Sequence, residues 1–165
     1  MTSPVDPVVV ASEADRPVLE QLWTMFGHDM SAFTGALPDA RGRFRQDRLD
    51  AALSDPAWAA FLVRSGTAPA GFAIVRGLDT DVRVLSSFFI VNGARRRGLG
   101  RAAVEQVTGA YPGRWAVAFQ DRNTVASRFW PAVAARADRH WRLDHRGVPG
   151  RPDLPADAWI DFTVG

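Results

Sequence analysis

The sequence contains no cysteine and no lysine among its 165 residues, and its only histidines are His28, His140 and His145. Without cysteine there is no disulfide framework, no thiolate nucleophile and no cysteine-based zinc site. Without lysine there is no Schiff-base chemistry on a side-chain amine. Because the histidines are scattered along the chain, we also expect no metal site.

Long apolar runs are also missing. No segment approaches the roughly 20 apolar residues that a membrane-spanning helix needs, and residues 1–6 lack the charged and apolar regions of a signal peptide. We therefore expect a cytoplasmic protein with no membrane partner. A chain of this length with 47% apolar residues can bury a substantial core, which predicts a single domain over residues 1–165.

The charge balance argues against nucleic-acid binding as the main role. Twenty arginines face 18 acidic residues, so the formal net charge is only +2. The pI near 10.3 is high mainly because every basic side chain is arginine, whose pKa lies far above neutrality. Apart from residues 95–97, the arginines alternate with acids, as in residues 39–50, which is typical of a solvated surface.

Apolar spacing and turn residues predict seven strands and four helices in the order β-α-α-β-β-β-α-β-α-β-β. The predicted strands cover residues 8–11, 58–64, 70–76, 82–91, 115–119, 140–145 and 158–164. The predicted helices run from Asp15 to Gly27, over residues 44–53, from the glycine turn to about Ala110, and from Asn123 to about Ala134. Residues 28–42 between the first two helices are expected to form mainly a loop.

The segment Arg95-Arg96-Arg97-Gly98-Leu99-Gly100 carries the strongest functional signal. It follows the apolar run from Val82 to Val91 and precedes the amphipathic stretch that begins at Arg101. A strand, a glycine turn and a helix start in this order bring backbone N–H groups together at the positive end of a helix dipole. Glycines also let the main chain approach an anion closely. The segment therefore predicts a binding site for phosphate groups.

The same residues resemble the GNAT superfamily of N-acetyltransferases. Its phosphate turn has Gln or Arg, two residues, Gly, any residue, then Gly or Ala, which Arg95, Gly98 and Gly100 match. Its later helix often carries an Asn, Ala and Phe pattern, and Asn123, Ala126 and Phe129 match this too. The resemblance covers most of residues 8–164 and is most specific over residues 82–130. It implies an α/β (α+β) fold with a single mixed, mostly antiparallel twisted sheet of about seven strands and about four flanking helices.

The resemblance implies acetyl-CoA, or another acyl-CoA, as co-substrate and direct acyl transfer to an amine. It implies a pantetheine arm paired with the strand backbone and an oxyanion donor among the backbone N–H groups near Phe89 and Ile90. The residues that it places at the cofactor are Phe89, Ile90, Val91, Arg95, Arg96, Arg97, Gly98, Leu99, Gly100, Arg101, Asn123, Ala126, Phe129 and Trp130.

The sequence departs from the family where protons are transferred. No Asp or Glu lies between Asp81 and Glu105, so only Ser86 and Ser87 on the strand could relay a proton. Many relatives carry a tyrosine acid where this chain has Trp130, whose indole N–H is a donor that does not usefully give up its proton. The one tyrosine, Tyr111, is expected to pack. We therefore expect proton transfer through water, with Ser87, His28 and Asp29 as the side-chain candidates.

The acceptor site is expected after the first helix, because in this superfamily that segment usually lines the acceptor side. Asp29 could hold an ammonium group, His28 could take a proton near neutral pH and Phe33 could form a wall. Alternatively, Asp29 and Ser31 cap a turn. We expect a small-molecule or peptide amine as the acceptor, and either a monomer or a homodimer.

Two other functions remain open at this point. A tRNA-dependent aminoacyl transferase can use the same fold, and the arginines of residues 41–48 would then contact phosphates. A non-catalytic acyl-CoA-binding regulatory domain would explain the missing acid and base. An enzyme is favoured because direct transfer mainly requires positioning and a carbonyl donor, which backbone groups supply.

Overall fold

The computed structural model describes residues 6–165. The expectation that residues 1–6 are not a signal peptide concerns residues outside this range, except for Asp6. No helix among the described residues is long and apolar enough to cross a membrane. The strands are β1 Val8–Val10, β2 Trp58–Ser65, β3 Ala68–Arg76, β4 Val82–Ile90, β5 Gly113–Phe119, β6 Arg142–Arg146 and β7 Asp157–Val164. The helices are α1 Arg16–Thr34, α2 Asp47–Ser54, α3 Leu99–Gly109 and α4 Thr124–Ala137.

The seven strands form one open sheet in the order β1-β2-β3-β4-β5-β7-β6. Every neighbouring pair in this sheet is antiparallel except β4 and β5, which run parallel and are joined through α3. The predicted element order and the mixed, mostly antiparallel sheet are both confirmed. The parallel pair at the centre matters because it is where the sheet opens.

Two hydrophobic clusters lie on opposite faces of the sheet. The larger one joins the sheet to α3 and α4, with Val104, Trp115, Val133 and Ile160 among its buried members. The smaller one joins β2 and β3 to α1 and α2, and includes Leu19, Trp23, Leu49 and Phe72. No helix makes a comparable contact with β5, β6 or β7 on this second face within the described chain. The sheet is therefore covered on one face up to β7, leaving β6 exposed, and only in part on the other face.

Helix α1 is longer than the sequence predicted. It runs through Gly27 and ends at Gly35, which has the left-handed φ of 69° typical of a helix C-terminus. Gly27 serves packing instead, because a Cβ built there lies 2.5 Å from the ring of Phe44. The prediction that Gly27 ends the helix is wrong, and so is the loop predicted directly after it. Consequently His28 and Phe33 lie on the last turns of a helix.

Strand β4 has an irregularity at Ser86. Ile74 of β3 pairs with Ser87 and Val75 with Leu85, which leaves Ser86 as the extra residue of a β-bulge. The parallel pairing with β5 also stops here, since its last pair joins Leu85 to Val117. Beyond that pair, β4 continues to Ile90 without β5 beside it. The two central strands therefore part over the second half of β4.

Candidate active site

The glycine turn after β4 leads directly into α3. Gly98 precedes the helix with a φ of 77°, and a Cβ built there meets nothing within 4 Å. Arg96 also has a positive φ, 66°, which is rare for a residue with a side chain. The N–H groups of the first helical turn have no intrahelical partner. The turn thus presents an open surface at the positive end of the α3 dipole.

A cavity of about 350 Å³ lies between this turn and the start of α4. It is lined by Arg96, Thr124, Val125, Arg128 and Phe129. Two guanidinium groups face one space, which suits a ligand with several phosphate oxygens. The sequence pattern predicted Arg96 and Phe129 here. It did not single out Arg128, whose only signal is its place one helical turn after Thr124.

The side chain of Arg95 points away from this cavity and connects the turn to β4 and α1. Its Nε donates to the carbonyl oxygen of Ile90 at 2.6 Å, and its Nη2 donates to Asp29 Oδ2 at 2.8 Å. The guanidinium also lies 5.6 Å from the ring centroid of Phe89. The side chain of Arg95 therefore joins β4, α1 and the turn, while the first expectation placed it beside the phosphates.

The last turns of α1 lie against the cofactor side of the site. Asp29 is engaged with Arg95, although its side chain remains 40% exposed. The carbonyl oxygen of Phe33, one helical turn later, accepts a hydrogen bond from Arg122, which precedes α4. His28 is exposed and makes no side-chain hydrogen bond within the described residues, while Ser31 Oγ donates to the His28 carbonyl oxygen at 2.6 Å. Asp29 and Phe33 thus lie one helical turn apart on one face of α1, whereas His28 is exposed beside them.

The unpaired half of β4 offers backbone groups to a ligand. Val91 N–H donates to the Ala70 carbonyl oxygen at 2.8 Å and therefore faces β3. Because backbone groups alternate between the two sides of a strand, those of Ile90 and Phe88 face the opening beside β5. Of the predicted oxyanion donors, this geometry favours the N–H of Ile90.

Ser87 is the polar side chain at the start of this opening. Its side chain is 4% exposed, and its hydroxyl has no hydrogen-bond partner in the described chain. A buried hydroxyl without a partner costs about 1–3 kcal/mol, so such a group in a native structure needs an explanation. A polar ligand atom between β4 and β5 would provide one.

The α4 residues of the predicted motif have structural roles. Asn123 Oδ1 accepts the N–H of Ala126 at 3.1 Å and so caps the helix. Trp130 is 6% exposed, and its ring centroid lies 5.5 Å from that of Phe88. Tyr111 packs edge-on against Phe61, in agreement with the packing role expected for it. No acidic or phenolic proton donor replaces Trp130 at this position.

Sequence reasoning missed Arg48 on α2, whose Nη1 donates to the carbonyl oxygen of Ser86 at 3.0 Å. This contact brings a positive charge to the bulge where β4 and β5 part. The mixed-charge stretch around Arg48 resembles ordinary helix surface, so spacing alone contains no signal for this role. Only the packing of α2 against β2 and β3 directs the side chain there.

Comparison with known proteins identifies the family. The model of the GNAT acetyltransferase family matches residues 20–133. An acetyltransferase from Thermus thermophilus has 23% identity and a TM-score of 0.69, covering 95% of this chain and 97% of its own. The ribosomal-protein-S18-alanine N-acetyltransferase of Escherichia coli has 15% identity and a TM-score of 0.67, covering 96% and 93%.

A more distant structural match contains the expected co-substrate. A Bacillus anthracis protein assigned as a streptothricin acetyltransferase, solved in complex with acetyl coenzyme A, has 10% identity and a TM-score of 0.56, covering 70% of this chain and 68% of its own. No curated protein matches the sequence. The family match extends over more than half of the chain and agrees with the fold. The chain therefore belongs to the GNAT family and is an N-acetyltransferase.

Proposed function

We propose that this protein transfers an acetyl group from acetyl-CoA directly to a primary amine. The observation that carries the proposal is the opening between β4 and β5, which lies beside an open glycine turn at the start of α3. The opening provides unpaired backbone groups, and the turn provides an anion site. A ligand with a peptide-like arm and a pyrophosphate matches both in chemistry.

The residues present fit coenzyme A. Backbone N–H groups of residues 96–100, with the side chains of Arg96 and Arg128, would hold phosphate oxygens. Of the backbone groups on this edge of β4, the carbonyl oxygen of Ile90 is already bonded to Arg95, so those of Phe88 would pair with the pantetheine arm, as in strand addition. The orphaned hydroxyl of Ser87 would gain a partner at the far end of the arm. When bound, the co-substrate supplies an acetyl thioester.

Direct transfer moves one acetyl group and two protons. The acceptor ammonium first loses a proton to water, and its nitrogen then forms a bond with the acetyl carbon. The bond between that carbon and sulfur breaks, and the second proton of the nitrogen passes to the sulfur. The N–H of Ile90 would stabilise the carbonyl oxygen as it gains charge. Because Trp130 is packed and residues 82–104 contain no carboxylate, water carries these protons.

The acceptor itself is not specified by the relatives, because their identities of 10–23% support only a shared fold. The tRNA-dependent alternative gains no support from the arginines of residues 41–48. Arg45 pairs with Asp47, and Arg48 turns inward to Ser86. Strong, salt-dependent RNA binding would revive that alternative. A cytoplasmic location and the choice between monomer and homodimer stay predictions.

Gly98→Asp tests the proposed function. The substitution puts a side chain at a φ of 77° and a negative charge in the anion site, so we expect acetyl-CoA binding measured by calorimetry to be abolished. Gly66→Asp is the matched control, because Gly66 has a φ of 60° with nothing within 4 Å and lies in the hairpin between β2 and β3. Unchanged affinity in Gly98→Asp would remove the cofactor from this turn.

A second measurement tests turnover. Release of free thiol from acetyl-CoA is followed over a broad panel of primary amines, with each product identified by mass. We expect amine-dependent thiol release and an N-acetylated product for at least one amine class. Saturable acetyl-CoA binding without turnover on any member would favour the non-catalytic regulatory alternative.

A further inference from the structure

Arg48 brings a positive charge to the bulge of β4 from the face covered by α1 and α2. Its Nη1 donates to the Ser86 carbonyl oxygen at 3.0 Å, immediately after the last β4–β5 pair. Part of the residue remains accessible to solvent, while its guanidinium group lies among protein atoms. A single hydrogen bond to a carbonyl oxygen leaves most of its N–H donors free. The guanidinium therefore lies where a molecule could enter the opening from the face opposite α3 and α4.

Arg48 has no acidic partner, unlike several arginines near it in the fold. Arg16 pairs with Glu13, Glu20 and Asp50, and Arg95 pairs with Asp29. Within residues 6–165, no carboxylate lies at ion-pair distance from either Arg48 or Arg76. Strand alternation places Arg76 on the same sheet face as Phe72, which α1 and α2 cover. Two unpaired cations thus lie on the same face of the sheet, Arg48 at the bulge and Arg76 beside Val84, just before β4 and β5 part.

The environment of Arg48 disfavours the positive charge of its guanidinium group. Burial among protein atoms lowers the pKa of the Arg48 guanidinium, and the positive charge of Arg76 lowers it further, whereas Asp157 opposes both effects. The positive charge of Arg45 lowers the pKa of Arg48 as well. An anion bound beside Arg48 would offset the repulsion between the two guanidinium groups.

The opposite wall of the opening carries a carboxylate. Asp157 begins β7 and lies on the sheet face opposite the buried Ala158, which is again the face of Arg48. Its Oδ1 accepts a weak hydrogen bond from Gln120 Nε2 at 3.4 Å. Arg146 is its cross-strand neighbour but pairs with Asp144 and Asp161. Asp157 therefore forms no ion pair within the described chain, although its negative charge favours the charged form of Arg48.

We propose that the acceptor is a small zwitterionic amine of the amino-acid type, with Arg48 and Arg76 binding its carboxylate and Asp157 receiving its ammonium group. The proposal rests on the proposed acetyl transfer and specifies the substrate class of that site. Two cations on one wall and one anion on the other suit a molecule with both charges. A plain alkylamine would leave both guanidinium groups without a partner.

The test compares amino acids with matched amines that lack the carboxylate, such as alanine with ethylamine. We expect thiol release by the wild-type enzyme to show a kcat/KM at least tenfold higher for members with a carboxylate. Arg48→Gln should raise KM for these members about 10- to 100-fold, the range for a lost charged hydrogen bond. The KM values for acetyl-CoA and for the carboxylate-free amines should stay within twofold.

Matched variants separate recognition from general disruption. Arg48→Lys should recover part of the lost affinity, and Asp157→Asn should weaken members with and without a carboxylate alike. Arg41→Ala removes a positive charge from an exposed position without an ion pair in the described chain and should leave all constants unchanged. Equal loss for both amine classes in Arg48→Gln, or a wild-type preference for carboxylate-free amines, would overturn the proposal.

A binding measurement distinguishes failure of this proposal from failure of the proposed function. Calorimetry follows alanine and ethylamine against protein saturated with coenzyme A. Alanine binding that Arg48→Gln abolishes, without any thiol release, would leave the recognition intact and reject the catalytic role. Turnover of amines at rates that do not depend on the carboxylate would support acetyl transfer and reject the zwitterion assignment. If alanine neither binds nor reacts, the zwitterion assignment is rejected.

Discussion

Arg96 is the only non-glycine residue among those described with a positive φ. A left-handed backbone costs a residue with a Cβ roughly 1–2 kcal/mol. The exposed side chain also lines the cavity between the turn and α4. Strain of this kind concentrates at functional sites. It therefore supports a role for Arg96 in binding that is independent of the sequence motif.

Arg96→Gly should separate stability from function. Glycine relieves the backbone strain, so Tm should stay equal or rise by about 2–4 °C, whereas the Kd for acetyl-CoA should rise about tenfold through loss of one charged contact. Thermal melts and calorimetry measure the two effects. Arg97→Gly is the control because it loses a charge without relieving a positive φ, and it should lower Tm. Equal Tm losses in both variants would contradict the role of strain.

For single residues, the sequence predicted the position of the glycine turn but not the directions of its side chains. Gly98 and Gly100 were recognisable because their spacing reflects backbone geometry. The partner of Arg95 was not, because Asp29 lies 66 positions earlier and meets it only once α1 has packed. Arg48 was missed for the same reason. Side-chain partners that join distant elements depend on packing, which local spacing does not encode.

Strands β3 and β4 approach each other closely at Gly71. A Cβ built there lies 2.0 Å from the carbonyl oxygen of Phe89, a backbone atom that cannot move without shifting β4. Glycine is therefore required by contact at this position. Its neighbour on β4, Ile90, provides the proposed oxyanion donor. The spacing of these two strands thus determines where the donor lies.

Gly71→Ala should weaken both the fold and the cofactor site. Overpacking of this kind costs about 1–3 kcal/mol, and displacement of β4 should raise the Kd for acetyl-CoA. Chemical denaturation and calorimetry report the two losses. Gly93→Ala is a suitable control, because a Cβ there meets nothing within 4 Å. A Gly71→Ala variant as stable as the control would show that β4 is free to shift.

Asp138 joins the end of α4 to β7. Its carboxylate accepts the N–H groups of His140 at 2.8 Å and Thr163 at 3.0 Å. The bond from His140 is the main effect that lowers the pKa of Asp138. A carboxyl whose pKa is lower in the folded protein stabilises it above the ordinary pKa of about 4 and loses this effect as the pH falls through the folded value.

Asp138→Asn should therefore lower Tm at pH 7. The difference in Tm between the variant and the wild type should shrink as the solution is acidified below about pH 4. Thermal melts from pH 7 to pH 2 measure the difference. Asp153→Asn is the comparison, because the pKa of Asp153 is lowered mainly by Arg151 on an exposed loop. This substitution should lower Tm by less than Asp138→Asn does. A difference that widens in acid would contradict the assignment.

Element prediction succeeded where spacing alone decides the outcome. The order of all seven strands and four helices followed from alternation, helical periodicity and turn residues. It failed at Gly27, because a glycine that packs against Phe44 looks the same in sequence as one that ends a helix. The bulge at Ser86 was also unpredictable, since register arises only when strands pair.

One sheet supports both hydrophobic clusters, so neither can form without the other's strands. Phe72 and Ala73 are neighbours on β3 yet belong to opposite clusters. On this basis we propose that the chain is one domain that unfolds as one unit. The acceptor-side groups Arg48 and Asp157 would then stay aligned with the cofactor turn as long as the sheet persists.

Calorimetric unfolding should show a single transition with matching calorimetric and van't Hoff enthalpies. Acetyl-CoA at 100 times its Kd should stabilise the native state by about 2.7 kcal/mol, which raises Tm by roughly 5–10 °C. Gly98→Asp should lose this shift while retaining the single transition. Two separate transitions would contradict the single domain.

The parting of β4 and β5 gives this protein a third sheet edge. An open sheet has two outer edges, here β1 and β6, and natural proteins guard such edges against adding foreign strands. The second half of β4 is an additional one, recessed in the middle of the sheet. This edge lies within the sheet, between β3 and β5. An extended arm that pairs with it fills a gap inside the sheet, whereas a strand added at β1 or β6 would lengthen the sheet.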